Sequence, residues 1–134
     1  MALQIVKDSI DLGIVTKQVE PMVKFYRDTL GFVPDGEMDL PGGSKMTRLK
    51  CGTTVVKLVV QGREPRAEAP PGGLAGATGY RYWTVTISNL DEAAKTCADG
   101  GYNLPVPPTE IRPGIRIAMV EDPDGNWVEL LEVS

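Results

Sequence analysis

The feature that most restricts the fold of this chain is a pattern it runs through twice. A β-branched run, SIDLGIVT (9–16), gives way to VEPMVKFYRDTLGF, in which Val19, Met22, Val23, Tyr26 and Leu30 recur three or four apart. Pro21 falls in the first turn of that helix and Gly31 is a natural stop just past its end. Three strand-like runs follow, FVPDGEMDL, SKMTRLKC and TTVVKLVVQ, split by PGG and GT, which predicts a meander. Residues 62–79 hold five Gly and three Pro and read as a loop or linker. The pattern then restarts. RYWTVTI is a strand. NLDEAAKTCADGG is a helix with Asn89 as N-cap, Glu92 as its capping-box partner and Gly100 or Gly101 as the stop. YNLPVPP is a poor strand because of its prolines, and GIRIAMVE and WVELLEV form a hairpin across Asp122, Pro123, Asp124 and Gly125, the residues a type I turn favours.

The chain therefore reads β-α-β-β-β twice, and counting tests the repeat. From Asp11 to Gln18 is 7 residues, as is Tyr82 to Asn89; from Asp11 to Lys57 is 46, and from Tyr82 to Glu129 is 47. Asp11 and Tyr82 are thus equivalent positions, and so are Lys57 and Glu129. Side chains alternate across a strand. One parity collects Leu12, Ile14, Val56, Leu58, Val60, Trp83, Val85, Ile87, Val128 and Leu130, all large and apolar, and should pack under the helices. The other collects Asp11, Gly13, Val15, Val55, Lys57, Val59, Tyr82, Thr84, Thr86, Trp127, Glu129 and Leu131. Such a mixture suits a ligand pocket and equally suits a half-solvated sheet face.

At 134 residues, 42% hydrophobic and 24% charged, this is one soluble domain's worth of chain with a module at about 6–61, a linker at 62–79 and a second module at about 80–134. A net charge of −4 with no basic stretch speaks against a nucleic-acid partner, and no apolar run approaches membrane-span length. The N-terminus lacks the pattern of a signal peptide, and two cysteines, Cys51 and Cys97, fit a cytoplasmic protein with reduced thiols, although one disulfide is open to them. Neither has an activating neighbour in sequence, and Cys97 is expected in the core. Histidine is absent altogether, which removes imidazole as metal ligand, base or proton shuttle.

The paired modules, with KFYRDTLGF in the first helix and EDPDGNWVELLE at the end, resemble the vicinal oxygen chelate superfamily: glyoxalase I, bleomycin-resistance proteins, fosfomycin-resistance enzymes, methylmalonyl-CoA epimerases and extradiol dioxygenases. The resemblance covers nearly the whole chain. It implies an α+β fold of two βαβββ modules forming a cupped, mostly antiparallel sheet with helices on the outer face, and a homodimer. It does not choose a function, because the fold hosts lyases, isomerases, oxygenases and binders. In that superfamily a divalent metal is held by His, Gln or Glu on the first and fourth strands of each module. The matching positions here are Asp11, Lys57, Tyr82 and Glu129. Glu129 suits the pattern and Asp11 is an unusual ligand; Tyr82 is a poor one and Lys57 departs from it. A dication about 5 Å from an ammonium is repelled by roughly 6–7 kcal/mol at an effective dielectric of 20. No metal and no cofactor is therefore expected.

Without a metal, the Lys57 ammonium stands where the resemblance puts the cation. It is open to two uses: neutralising Asp11 and Glu129, or holding a substrate oxyanion or carboxylate. Glu129 or Asp11 then moves a proton and Tyr82 donates to an enolate-like oxygen. Trp127 and Thr84 are candidate substrate contacts. The expected function is a glyoxalase-like lyase or isomerase acting on a small molecule. The alternatives are a bleomycin-resistance-type protein that sequesters a ligand without turnover, and an inert descendant whose charges form a structural salt bridge. Arg81, Arg112 and Arg116 lie near loop ends and are expected to be solvated charges.

Overall fold

The structure, a computed structural model, describes residues 2–134. Strands β1 (Leu12–Val15), β2 (Val33–Asp39), β3 (Lys45–Cys51) and β4 (Thr54–Val60) form one sheet in the order β1-β4-β3-β2. Strands β5 (Tyr82–Thr86), β6 (Val106–Arg112), β7 (Ile115–Glu121) and β8 (Trp127–Val133) form a second in the order β5-β8-β7-β6. In each sheet the first strand pairs parallel with the fourth and the other pairings are antiparallel. Helix α1 (Val19–Val23), continued by a π-helical segment (Lys24–Thr29), connects β1 to β2, and helix α2 (Leu90–Asp99) connects β5 to β6. This is the expected α+β architecture of two βαβββ modules. The chain packs as two compact units, Met1–Arg66 and Ala67–Ser134.

In the first unit Met22, Phe25 and Tyr26 of the helix and Leu49, Val56 and Leu58 of the sheet are fully or almost fully buried. Phe25 and Tyr26 are adjacent, yet neither is exposed. Successive side chains of an α-helix diverge by about 100°, and an apolar stripe of at least that width takes both into the core. The helix closes in a π segment, where Leu30 N–H reaches back to Phe25 O at 3.0 Å and Phe32 N–H to Tyr26 O at 2.9 Å. Tyr26 packs edge-on to Phe25 and stacks with Phe32, at centroid distances of 4.8 and 5.8 Å. Gly31 ends the segment at φ +82°, as its position predicts.

In the second unit Leu90, Ala94 and Cys97 of α2 are buried with Ala118, Val120, Val128 and Leu130 of the sheet. Cys97 is core, and burial pushes its thiol pKa up. Asn89 takes the N-cap position, but its side chain makes no capping bond, so the predicted capping box does not form. The residue is exposed. The strand predicted at 102–108 begins later, at Val106, and runs to Arg112. Pro107 and Pro108 are tolerated because β6 is an edge strand and the register shifts between Val106 and Thr109.

No helix among the described residues is long and apolar enough to cross a membrane.

Candidate functional site on the open faces of the two sheets

The observed register agrees with the count made on the sequence. Gly13 pairs with Lys57 across β1 and β4, and Thr84 pairs with Glu129 across β5 and β8. Leu12 pairs with Val56 and Trp83 with Val128, on the faces that the helices cover. Asp11, Lys57, Tyr82 and Glu129 therefore each project from the uncovered face of their own sheet, where parity puts them.

On the first sheet, Asp11 immediately precedes β1 and leans toward β4. Its Oδ1 accepts from Val55 N–H at 2.9 Å and from Lys7 Nζ at 2.7 Å. The Lys7 ammonium, then the Val55 amide, hold the Asp11 carboxyl below the usual carboxylate range; Lys57 adds a weaker through-space attraction. The partner of Asp11 is thus Lys7, a residue sequence reasoning does not single out. Lys57 has no hydrogen-bond or ion-pair partner among the described residues. Its neighbours across the sheet are Gly13, with open space where a side chain would be, and Arg48 on β3. Arg48 donates from Nε to Asp35 Oδ2 at 3.2 Å, with Nη2 also at 3.2 Å, while Lys50 Nζ lies 3.8 Å from Asp35 Oδ1.

Arg48 could have been found from the sequence. The β3–β4 turn is Gly52–Thr53, so Cys51 pairs with Thr54, and counting three residues back on each side puts Arg48 opposite Lys57. Opposed residues of an antiparallel pair share a face.

On the second sheet, Thr84 Oγ1 donates to Glu129 Oε1 at 2.7 Å. Tyr82, 46% exposed, pairs with Trp127, whose Nε1 donates to Glu121 Oε1 at 3.3 Å. The turn before β8 sets Trp127 and Glu129 in place. Gly125 N–H reaches Asp122 O at 2.9 Å, the i→i+3 bond of the predicted turn. Asp122 is 4% exposed. Its Oδ1 accepts from the Asp124 and Asn126 amides, and its Oδ2 from Asn126 Nδ2, each at 2.9 Å.

The glycine-rich stretch 62–79 is ordered by contacts at both ends. Gly62 N–H donates to Ser44 Oγ at 3.1 Å, and a Cβ on Gly62 would fall 2.1 Å from Gly42 O. In the second unit a short 3₁₀ turn (Gly73–Ala75) lies against Trp127: a Cβ on Gly73 would fall 2.1 Å from the indole Cε2. Arg81 ties this strap down, donating from Nε to Gly73 O at 2.6 Å and from Nη2 to Pro70 O at 2.7 Å. Arg81 is therefore a clamp on loop carbonyls rather than a solvated charge. Arg116 is a tie as well: its Nη1 and Nη2 donate to Asp91 at 3.1 and 2.7 Å, and Nη1 lies 3.4 Å from Glu132 Oε1. Arg112 is exposed, as expected. One face of Trp127 is covered by Gly73, which limits it as a substrate wall.

The residue types at the four equivalent positions do not fit a divalent cation. One is an ammonium and one a phenol, and the donor oxygen Oδ1 of Asp11 is already engaged by Lys7 and Val55. Among the described residues no three His, Cys, Asp or Glu side chains are grouped to hold a metal.

Two mixed βαβββ modules, each with polar residues of its first and fourth strands on the uncovered face, define a vicinal-oxygen-chelate fold. Residues 8–130 match the sequence model of the Glyoxalase/Bleomycin resistance protein/Dioxygenase superfamily, and the chain belongs to that superfamily. Among solved structures it is similar to a glyoxalase family protein from Bacillus cereus, at 16% identity and a TM-score of 0.83 over 99% of this chain and 98% of that one. A glyoxalase family protein from Enterococcus faecalis aligns at 21% identity and a TM-score of 0.74, over 95% and 98% of the two chains. The trypanothione-dependent glyoxalase I of Leishmania major aligns at 22% and 0.68, over 91% and 84%. At these identities the likeness is one of fold. No curated protein matches the chain.

Proposed function

We propose that this protein is a glyoxalase-like lyase or isomerase that moves a proton next to a carbonyl group of a small molecule, with side chains in place of the superfamily's divalent metal. The observation that carries this reading is the 2.7 Å bond from Thr84 Oγ1 to Glu129 Oε1. It orients the carboxylate on the uncovered face and leaves Oε2 to take a proton, which is what a positioned general base requires. Tyr82 stands two residues before Thr84 on the same strand and face and supplies a hydroxyl donor for an enolate-like oxygen. On the sheet of the first unit, Lys57 offers a positive charge to an anionic group. Asp11, its charge held by Lys7, stays ionised. Trp127 contributes apolar surface on the side that Gly73 leaves open. The assembly assigned to it is a homodimer, which sedimentation at micromolar concentration checks.

Proton transfer next to a carbonyl can be read without knowing the natural substrate. Chelator-treated protein is incubated in deuterium oxide with a panel of 2-oxo acids and 2-oxoaldehydes, and exchange of the proton α to the carbonyl is followed by NMR. The expected result is catalysed exchange on at least one compound, reduced at least a hundred-fold in Glu129→Gln with the circular dichroism unchanged. Tight binding without exchange, surviving Glu129→Gln, would instead establish a sequestering protein. Exchange that vanishes on chelation and returns with a divalent metal would overturn the metal-free reading.

A further inference from the structure

The uncovered face of the first sheet carries more positive charge than its acids consume. Lys57, Arg48 and Lys50 all project from it, since Arg48 pairs with Lys57 and Lys50 with Val55, and residues paired across antiparallel strands share a face. Asp35 answers both Arg48 and Lys50, the second only at 3.8 Å. Asp11, which would otherwise answer Lys57, is bonded to Lys7. A chain with a net charge of −4 thus leaves a lysine unpaired, half-buried and directly beside an arginine. Like charges directly opposite one another on a sheet destabilise it, and the Arg48–Lys57 pairing is offset only in part, by Asp35 at Arg48 and by a weaker through-space attraction of Lys57 to Asp11.

The surroundings suit a ligand. Gly13, on the other side of Lys57, has open space at its Cβ position, so the ammonium is approachable. Val15, Val59 and Met46 share this face and give an apolar border. Arg48 spends Nε and Nη2 on a single oxygen of Asp35 at 3.2 Å, which leaves its other guanidinium hydrogens for a second acceptor. From these features we infer that Arg48 and Lys57 together bind a carboxylate or phosphate group of the substrate. Arg48 is a specificity-determining residue, and the substrate class is an anionic small molecule rather than a neutral one. The anion lies between the two cations, cancels their repulsion, and takes hydrogen bonds from the guanidinium and the ammonium. Asp35 competes with it for Arg48.

This inference rests on the proposed function for the word substrate, but binding alone tests it. Affinities for pyruvate, its uncharged methyl ester and inorganic phosphate are measured by NMR titration at low ionic strength. The expected result is a clear preference for one or both anions over the ester, with pyruvate or phosphate preference distinguishing the carboxylate from the phosphate source. Arg48→Met and Lys57→Met each lose about ten-fold or more of that affinity, the loss of one charge-assisted hydrogen bond. Arg48→Lys, which keeps the charge and a tie to Asp35, is intermediate. Asp35→Asn, which releases the guanidinium, binds the anion more tightly, a sign that a purely structural role for Arg48 would not produce. Lys45→Met, on the same strand and the opposite parity, leaves affinity unchanged. Equal binding of ester and anions, or equal losses in Lys45→Met and Arg48→Met, would overturn the anion site. Anion binding without proton exchange would overturn the proposed reaction and leave the site standing; exchange indifferent to substrate charge would do the reverse.

Discussion

Replacing Gly73 by alanine is expected to lift the 3₁₀ strap off the second module. The new methyl carbon would stand 2.1 Å from Trp127 Cε2, 2.2 Å from Cδ2 and 2.4 Å from Cζ2. Ordinary carbon–carbon contact is about 3.5–4.0 Å, so a separation of about 1.5 Å must be made up. The indole cannot supply it cheaply, because Trp127 is paired with both Tyr82 and Glu121 in the sheet and its Nε1 bonds Glu121. The strap has to move, and with it goes the 2.6 Å bond that Arg81 Nε makes to Gly73 O. An alanine at φ +53° adds left-handed strain of about 1–2 kcal/mol. A net hydrogen bond to a half-exposed arginine contributes about 1 kcal/mol, and lost packing about as much again. The total is a destabilisation of about 3–4 kcal/mol, or roughly 9–16 °C in Tm for a chain of this size. Trp127 gains water on its uncovered face, so the native emission should shift to the red. Gly79→Ala is the control: φ is +98° there, but nothing lies within 4 Å of the added Cβ, so only backbone strain is felt and emission is unchanged. Equal Tm losses in the two variants, with unshifted emission in Gly73→Ala, would refute the seating of the strap on Trp127.

Two further outcomes follow from the turn and the ion pair. Asp122→Ala strips the acceptors from the Asp124 and Asn126 amides in a turn whose carboxylate is 4% exposed; it should cost about 2–4 kcal/mol in urea unfolding, and Asp122→Asn, which keeps one acceptor oxygen, clearly less. The Asp11 carboxyl is held low by Lys7 first and the Val55 amide second. Its contribution to stability is therefore present above the unfolded carboxylate value of about 3.9 and fades as pH falls through the lower folded value. Lys7→Met should raise the Asp11 pKa seen by NMR and move the acid-unfolding midpoint to higher pH. An unchanged titration would show that Lys7 is not its partner in solution.

Much of this molecule was legible in the sequence because strand parity and helical spacing are local. Lys57 and Glu129 fell on the uncovered faces by counting alone, and the registers of the two sheets make them equivalent, as the count did. The turn Asp122–Gly125 was readable for the same reason, since its bond joins residues three apart. The π segment was not. Helical spacing predicts an ordinary α-helix here, and the bond from Leu30 N–H to Phe25 O, five residues back, is not encoded in that spacing. Neither was the start of β6, where an edge position overrode the prolines.

The sequence by itself determined the two modules, which face of each strand is apolar, and the chemical identity of the groups on the other face. Periodicity carries that information, and the absence of histidine narrows the chemistry further. Only the tertiary structure decided how those groups are partnered: Asp11 with Lys7, Glu129 with Thr84, Arg81 with loop carbonyls, and Lys57 with none among the described residues. A charge's partner depends on where loops and neighbouring strands bring other side chains, to within a few ångströms. Alternation along one strand does not encode that. It is the difference between a lysine that neutralises a carboxylate and one left to bind an anion.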